Sequence, residues 1–399
     1  MNNNQQSDRR RFLQMMAAAP LLSFSSSLLA QQKNNKKILL LVELKGGNDA
    51  LNTLVPYEDP NYYRLRPKLG IKANQVLKLG NGLGMNPAMK ALLPEWQAGD
   101  MAWVQGVGYP EPNRSHFRSI EIWETASQSN QYLDDGWVAQ LYASASLSNR
   151  TSNGKVKNIQ GIAIGSDAGP LEGSAFNGLL MQDKKSFLSL TKKFKAVQAS
   201  TSNNALSHVL GVQNNVHSNA QVVTEKLQKV RMPEVTFPKN KFGRQLETTA
   251  QIITSGMNVP VYKVELGSFD THNNLLKRHK KLLTQLSEGL AAFSTTMKKA
   301  GLWDDVLIVT YSEFGRRVIE NKSGGTDHGT AAAHFALGGR VKGGVHKGLI
   351  GKTPSLSDLD ENDLKYTTDF RSYYHTIATQ WLGVDSLWKN QGVLPLIEV

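Results

Sequence analysis

Short apolar runs closed by glycine or polar clusters alternate along this chain with longer stretches whose apolar residues recur every three or four positions. Lys36 to Glu43 (KKILLLVE) is apolar on both faces and is followed by Gly46-Gly47, which predicts a buried first strand. Met101 to Gln105, Ile159 to Ile164 and Val261 to Leu266 read as further strands, and Asp305 to Tyr311 (DVLIVTY) is the clearest of all. His334 to Leu337 and Gly344 to Ile350 are short strand candidates. A helix is expected from Asn86-Pro87 to about Gln97, with Pro94 marking a break or end. Phe117 to Ser127, Trp137 to Ser144, Gly243 to Met257 and Arg371 to Trp381 also read as helices. The longest runs from Asn274 to Ala300, where Leu275, Leu276, Leu282, Leu283, Leu286, Leu290 and Phe293 share one apolar face. Ala145 to Lys157 is Ser/Asn-rich and reads as loop. Residues 170–239 are more polar and read as an insertion or cap with one or two helices. Strands alternating with helices predict an α/β class: one domain over 31–399 with a mostly parallel central sheet and helices on both faces.

The first thirty residues stand apart from that pattern. Arg9-Arg10-Arg11-Phe12-Leu13 followed by an apolar, small-residue stretch to Ala30 has the order of a twin-arginine export signal. Pro20 and four serines interrupt the stretch, so it is poorly suited to spanning a bilayer. Leu28 stands where a small residue is preferred for cleavage, and Asp8 where Ser or Thr is usual, so a retained anchor stays open. The expectation is a periplasmic protein carried by the twin-arginine translocase, with no stable membrane span after cleavage.

The absence of cysteine excludes disulfides, thiolate catalysis and Cys-ligated metal. The net charge of +13 falls to +11 without the first thirty residues, whose three arginines outweigh Asp8 by two. Such a surplus suits an anionic small molecule or polymer. The lysine groups lack the interleaved aromatics that stack bases, which argues against a nucleic-acid groove.

Four clusters follow predicted strands, where open α/β sheets bind ligands. Gly46-Gly47-Asn48-Asp49 is a tight turn or a carboxylate presented past the sheet edge. Asn113-Arg114-Ser115-His116-Phe117 offers Ser115 as a nucleophile or as a helix N-cap, with Arg114 close by for an anion. Its spacing is not the Gly-x-Ser-x-Gly of a serine-hydrolase elbow. Phe269-Asp270-Thr271-His272 is either a turn with a capping histidine or a carboxylate–imidazole ligand pair. Thr326-Asp327-His328-Gly329, with His334 six residues on from His328, concentrates ligand types in one loop and is assigned to metal binding. Ser312-Glu313-Phe314-Gly315-Arg316 supplies a supporting carboxylate and a phosphate-binding guanidinium, or a salt-bridge pair. His208, His217, His279, His346 and His375 have no such company and read as surface or core residues.

These strings resemble the bacterial family catalogued as domain of unknown function 1501, in its twin-arginine-exported branch of the alkaline-phosphatase-like superfamily. The resemblance rests on Gly-Gly-Asn-Asp, Arg-Ser-His-Phe before Ile-Trp-Glu-Thr, Glu-Phe-Gly-Arg and Gly-Thr-Asp-His-Gly. It implies two divalent ions about 4 Å apart, zinc, manganese or similar. Asp49, Ser115, Asp327 and His328 would hold one ion; Asp270, His272 and His334 the other, with Asn48, His116 and Glu313 supporting the ligands. Metal-activated Ser115, aided by Arg114 and Arg316, would attack a phosphate or sulfate ester. The alternative is a non-catalytic metal-binding exported protein that retains the fold. The one-residue gap between Asp270 and His272 departs from the three common in the superfamily, and no Cys/Ser-x-Pro-x-Arg string of a formylglycine sulfatase is present.

Overall fold

The first strand, β1 (Ile38–Leu44), is buried at every position, because it lies in the middle of a nine-stranded sheet with apolar layers on both faces. Its side chains alternate between these layers: Leu40, Val42 and Leu44 enter one, Leu39 and Leu41 the other. A computed structural model describes residues 37–144, 158–193 and 204–398. The export pattern before Ala30 and the Ala145 to Lys157 loop lie outside these described residues.

The remaining sheet strands are β2 (Met101–Gly108), β3 (Gly161–Ile164), β4 (Gly178–Met181), β5 (Val261–Leu266), β6 (Val306–Tyr311), β7 (Ala332–Leu337), β8 (Leu349–Ile350) and β9 (Thr368–Asp369). Their order is β8-β2-β7-β6-β1-β5-β3-β4, with β9 also on β2. Every pairing is parallel except those of β7, which runs against both β2 and β6. The α/β class with a mostly parallel sheet is therefore observed. Reversal of β7 has a consequence for chemistry: the residues just before it lie at the same sheet edge as the residues just after β1, β2, β5 and β6.

Among the described residues, helices flanking the sheet include α1 (His116–Thr125), α2 (Trp137–Ala143), α3 (Lys184–Lys193), α4 (Asn204–Lys229), α5 (Lys241–Thr254), α6 (Leu275–Lys299) and α7 (Phe370–Thr376). Leu246, Ala250 and Ile253 of α5 and Leu283, Leu286, Leu290 and Phe293 of α6 cover the Leu40–Val42 face. Trp123 of α1, Trp137 of α2 and Tyr373 and Tyr374 of α7 cover the opposite one. The helices are amphipathic because each buries one stripe against a sheet face.

Three expectations need correction. The polar 170–239 stretch is not only a cap, since β4 adds a parallel strand to the sheet edge beside β3 before α3 and α4 follow. Gly344 to Ile350 is a helical turn (Gly344–Lys347) leading into β8, with Gly344 in a left-handed backbone conformation that a strand does not use. The Asn86 to Gln97 segment is a tighter 3-10 turn (Pro87–Leu92) that passes into an α-helix (Leu93–Ala98), with Pro94 in its first turn, where no amide hydrogen is needed. A small antiparallel sheet of Leu54–Val55, Leu83–Met85 and Leu77–Gly80 has runs too short to show a period in the sequence.

Leu290→Ala in α6 is expected to cost about 2–5 kcal/mol in urea unfolding. Leu276→Ala, at an exposed position of the same helix, is expected to stay within about 0.5 kcal/mol.

Candidate metal centre

Gly46 and Gly47 end β1 with positive φ of 115° and 73°, a conformation that favours glycine. The space admits nothing larger either: a Cβ on Gly46 would meet the Asp270 backbone nitrogen at 2.5 Å, and one on Gly47 the Phe314 ring at 2.4 Å. The close turn brings the loops after β1, β5 and β6 into direct contact. Glu313, buried just past β6, accepts from the Gly46 amide at 2.9 and 3.1 Å and from Ser312 Oγ at 3.1 Å. Its Oε1 also lies 2.8 Å from His116 Nδ1. That contact raises the His116 pKa, against the lowering effect of burial.

With Nδ1 held by Glu313, His116 turns Nε2 towards Asp270 Oδ2, 3.6 Å away. Asp270 Oδ1 lies 3.2 Å from His328 Nε2, 3.0 Å from His272 Nε2 and 3.0 Å from Arg316 Nη2. The two Nε2 atoms of His272 and His328 are 3.1 Å apart, and His272 Nδ1 lies 3.1 Å from Asp327 Oδ1. His328 Nδ1 donates to the Arg114 carbonyl at 2.8 Å, which leaves Nε2 as the acceptor facing the cluster. Burial raises the Asp270 pKa, but Arg316 and His272 outweigh it and hold the carboxyl below its ordinary value. Asp327 is lowered likewise: burial opposes, but contacts with His272 and Asn321 prevail. Burial lowers the His328 pKa, so its ring is favoured in the neutral, ligating form.

One ligand atom each from His116, Asp270 and His328 lies within 4.8 Å of the others. Two donors bound about 2.1 Å from one ion at a tetrahedral angle are about 3.4 Å apart, and Asp270 lies 3.2 Å from His328 through Oδ1 and 3.6 Å from His116 through Oδ2. Two imidazoles and a carboxylate, each held from behind by another group, are a donor set suited to zinc or manganese.

The other residues singled out in the sequence are placed differently. Asp49 does not enter the cluster: its carboxylate is fully buried against Arg66 Nη1, at 2.8 and 2.6 Å. The ligand role expected for it is thus not reflected in its contacts, which pair the carboxylate with Arg66. Asn48 supports the turn, its amide donating to Ser312 Oγ at 3.0 Å and its Oδ1 lying 2.9 Å from His279 Nε2. His334 is also displaced from its expected role. It sits on β7 with no exposure, edge-on to Trp123 at 5.3 Å, and neither ring nitrogen has a hydrogen-bond partner. Its place in the strand pleat sends the ring into the layer beneath α1. Ser115 caps α1 from an exposed position without a side-chain cap hydrogen bond. The Arg114 guanidinium is bound to Asp363 at 2.5 Å. Arg316 keeps Nε and Nη1 buried without partners.

Sequence reasoning gave His116 a supporting part, whereas its ring lies among the donors. It also passed over a second carboxylate group, Glu43, Glu124 and Asp167. There Lys263 Nζ already bonds Glu43 at 2.8 Å and contacts Asp167, and burial raises Glu124 to about 8. A lysine thus occupies the cationic position. These residues lie inside long apolar strands or far apart in the chain, so no local string marked them.

The chain matches, over residues 71–380, the family described as a protein of unknown function, DUF1501. It belongs to that family. No curated protein matches it. Similar solved structures include the PsFucS1 sulfatase from Pseudoalteromonas, at 10% identity over 91% of this chain and 70% of that one, with a TM-score of 0.39. Another is the C-terminal periplasmic domain of EcEptC from Escherichia coli, at 9% identity over 88% and 83%, TM-score 0.39. A protein in the alkaline phosphatase superfamily from Vibrio parahaemolyticus is similar at 12% identity over 76% and 60%, TM-score 0.31. For this DUF1501 member the chemistry follows from the site's own geometry.

Two outcomes test these placements. Asp49→Ala strands Arg66 in the interior and is expected to cost about 3–5 kcal/mol, read from urea unfolding, with metal content per folded molecule retained. Burial lowers His334 to about 3. An unfolded histidine titrates near 6.5, so below that pH the unfolded chain binds a proton that the folded chain refuses. Stability is therefore present above about pH 6.5 and declines as pH falls towards 3. His334→Phe is expected to preserve stability at pH 7 and to flatten the decline between pH 6.5 and 4.

Proposed function

We propose that this protein is an exported, metal-dependent hydrolase of phosphate or sulfate esters, acting on an anionic substrate. The observation that carries the reading is the convergence of His116, Asp270 and His328 at the carboxyl edge of the sheet, with His272 and Asp327 alongside. A divalent ion held there would supply Lewis-acid stabilisation of the negative charge that gathers on the ester's oxygens. The second ion implied by the resemblance would have to draw on His272 and Asp327, since Asp49 and His334 are committed elsewhere.

Residues of the chain divide the remaining work. Ser115 presents its hydroxyl at the start of α1, between Arg114, whose carbonyl fixes His328, and His116. It is the nucleophile of this reading. Arg316, its side chain fully buried, holds Asp270 with Nη2 and so fixes that carboxylate from behind. Glu313 fixes which nitrogen of His116 faces the centre, as carboxylates do behind ligating histidines. Export rests on the twin-arginine pattern; among the described residues no helix is long and apolar enough to cross a membrane.

A second reading, metal binding without turnover, is favoured by one observation: the Arg114 guanidinium is tied to Asp363 instead of standing free for substrate. Metal analysis paired with an ester screen separates the two. The full chain is expected to hold divalent metal that chelator removes together with turnover. Asp270→Ala and His328→Ala should lose both metal and turnover. Ser115→Ala should keep the metal and lose turnover by about 10²-fold or more. Glu313→Gln should weaken metal affinity or activity by about 10–100-fold. Undiminished metal in Asp270→Ala would remove the basis of the assignment, and metal without turnover of any ester would select the second reading.

A further inference from the structure

Between β8 and β9 the chain forms a two-stranded hairpin, Leu359–Asp360 paired with Asp363–Leu364, whose turn residues Glu361 and Asn362 have positive φ of 49° and 67°. Its residue Asp363 is turned inward and has no exposure. A carboxylate in such a place is tolerable only with cationic or donor company. Two guanidiniums approach it: Arg114 Nη2 lies 2.5 Å from Oδ2, and Arg317 Nε lies 3.9 Å from Oδ1. Glu361 also approaches Arg114 Nη2, at 3.5 Å, but its side chain is 77% exposed and water screens the contact.

These contacts reach segments that carry parts of the centre. Arg114 lies in irregular backbone between β2 and α1, where no strand ladder fixes the direction of a carbonyl. Its carbonyl accepts from His328 Nδ1 at 2.8 Å, and Ser115 and His116 follow it in the chain. Arg317 follows Arg316, and its amide donates to the Asp327 carbonyl at 3.0 Å. Thr330, two residues past His328, donates its hydroxyl to the Leu364 carbonyl at 2.5 Å. Asp363 and Leu364 thus touch the segment before α1, the segment after β6 and the loop before β7.

We propose that Asp363 is a positioning residue for the centre: by holding the Arg114 guanidinium it aims the Arg114 carbonyl at His328 Nδ1. That hydrogen bond keeps the proton on Nδ1 and the lone pair of Nε2 turned to the other donors. The inference rests on the metal-centre reading above and gives the hairpin a task in it. Arg114 is then a strut between the hairpin and a ligand, its charge matched to Asp363 and not to the substrate. The tie that withholds Arg114 from substrate is part of the centre's construction.

The test uses the full chain, first metal-free and then titrated with zinc. Nitrogen-resolved NMR of the metal-free protein at about pH 8, where imidazole is neutral, reads which ring nitrogen of His328 carries the proton. The wild type is expected to hold the Nδ1–H form. Asp363→Ala and Arg114→Met should each move a measurable share of His328 to the Nε2–H form and weaken zinc binding about 10-fold in calorimetry. The double variant should weaken it no further, because both changes cut one path. Glu361→Gln should match the wild type. If Asp363→Ala fails to fold, Arg114→Met, which leaves Arg317 beside the carboxylate, gives the same reading. An unchanged His328 tautomer in a folded variant overturns the proposal and leaves the metal centre standing, and so does a shifted tautomer with undiminished zinc affinity. A shifted tautomer in a chain that binds no zinc even as wild type keeps the strut and rejects the metal reading.

Discussion

Glu313 is a carboxylate in the protein interior, and an interior carboxylate is tolerable only when its oxygens are met by donors. It meets three: the Gly46 amide after β1, its neighbour Ser312 after β6, and His116 at the start of α1. Each belongs to a different segment, so satisfying one charge fixes the relative positions of three loops. The short side chains around it follow from the same demand. Gly46 and Gly47 bring their backbone against Asp270 and Phe314 at distances that leave no room for a Cβ. Remove the carboxylate's partners and the turn after β1, the end of β6 and the start of α1 lose their common anchor.

Other buried polar pairs brace the arrangement from outside. Asp49 and Arg66 close the segment after the turn, with Arg66 reaching also to the Arg317 and Val318 carbonyls beyond β6. His279 of α6 is pushed by burial to about 4, which keeps its ring neutral between Asn48 and Thr53. Lys263 joins Glu43 and Asp167 on the other sheet face. His272 and Asp327 stand on the exposed side of the cluster, their side chains 43% and 58% exposed. Buried polar pairs thus lie beneath a partly exposed set of donors.

Much of this was legible in the residue order, and the part that was not is instructive. Apolar runs such as Val261 to Leu266 and Asp305 to Tyr311 announced their strands because burial on both faces demands an unbroken apolar sequence. The string Thr326 to His328 reads as metal-binding, and Phe269 to His272 stays open between a capping turn and a ligand pair, because both concentrate carboxylates and imidazoles in loops. Their contact with each other, 55 residues apart for His272 and Asp327, follows from strand order. His116 was placed one layer too far from the centre, because nothing local shows that Glu313 takes its Nδ1.

The sequence by itself determined the long buried strands β1, β5 and β6 and the helix α6, that cysteine plays no part, and which loops carry ligand-type side chains. Those are properties of neighbouring residues: period, turn chemistry and composition act over a few positions. Tertiary structure alone decided that Asp49 belongs to Arg66 and that His334 faces Trp123 instead of the centre. A fully buried strand carries no polar alternation to tell one face from the other, and an ion pair formed across the fold leaves no mark in the spacing of either partner. The reversal of β7, which brings Asp327 and His328 to the edge where His116 and Asp270 wait, was likewise settled by pairing across the sheet.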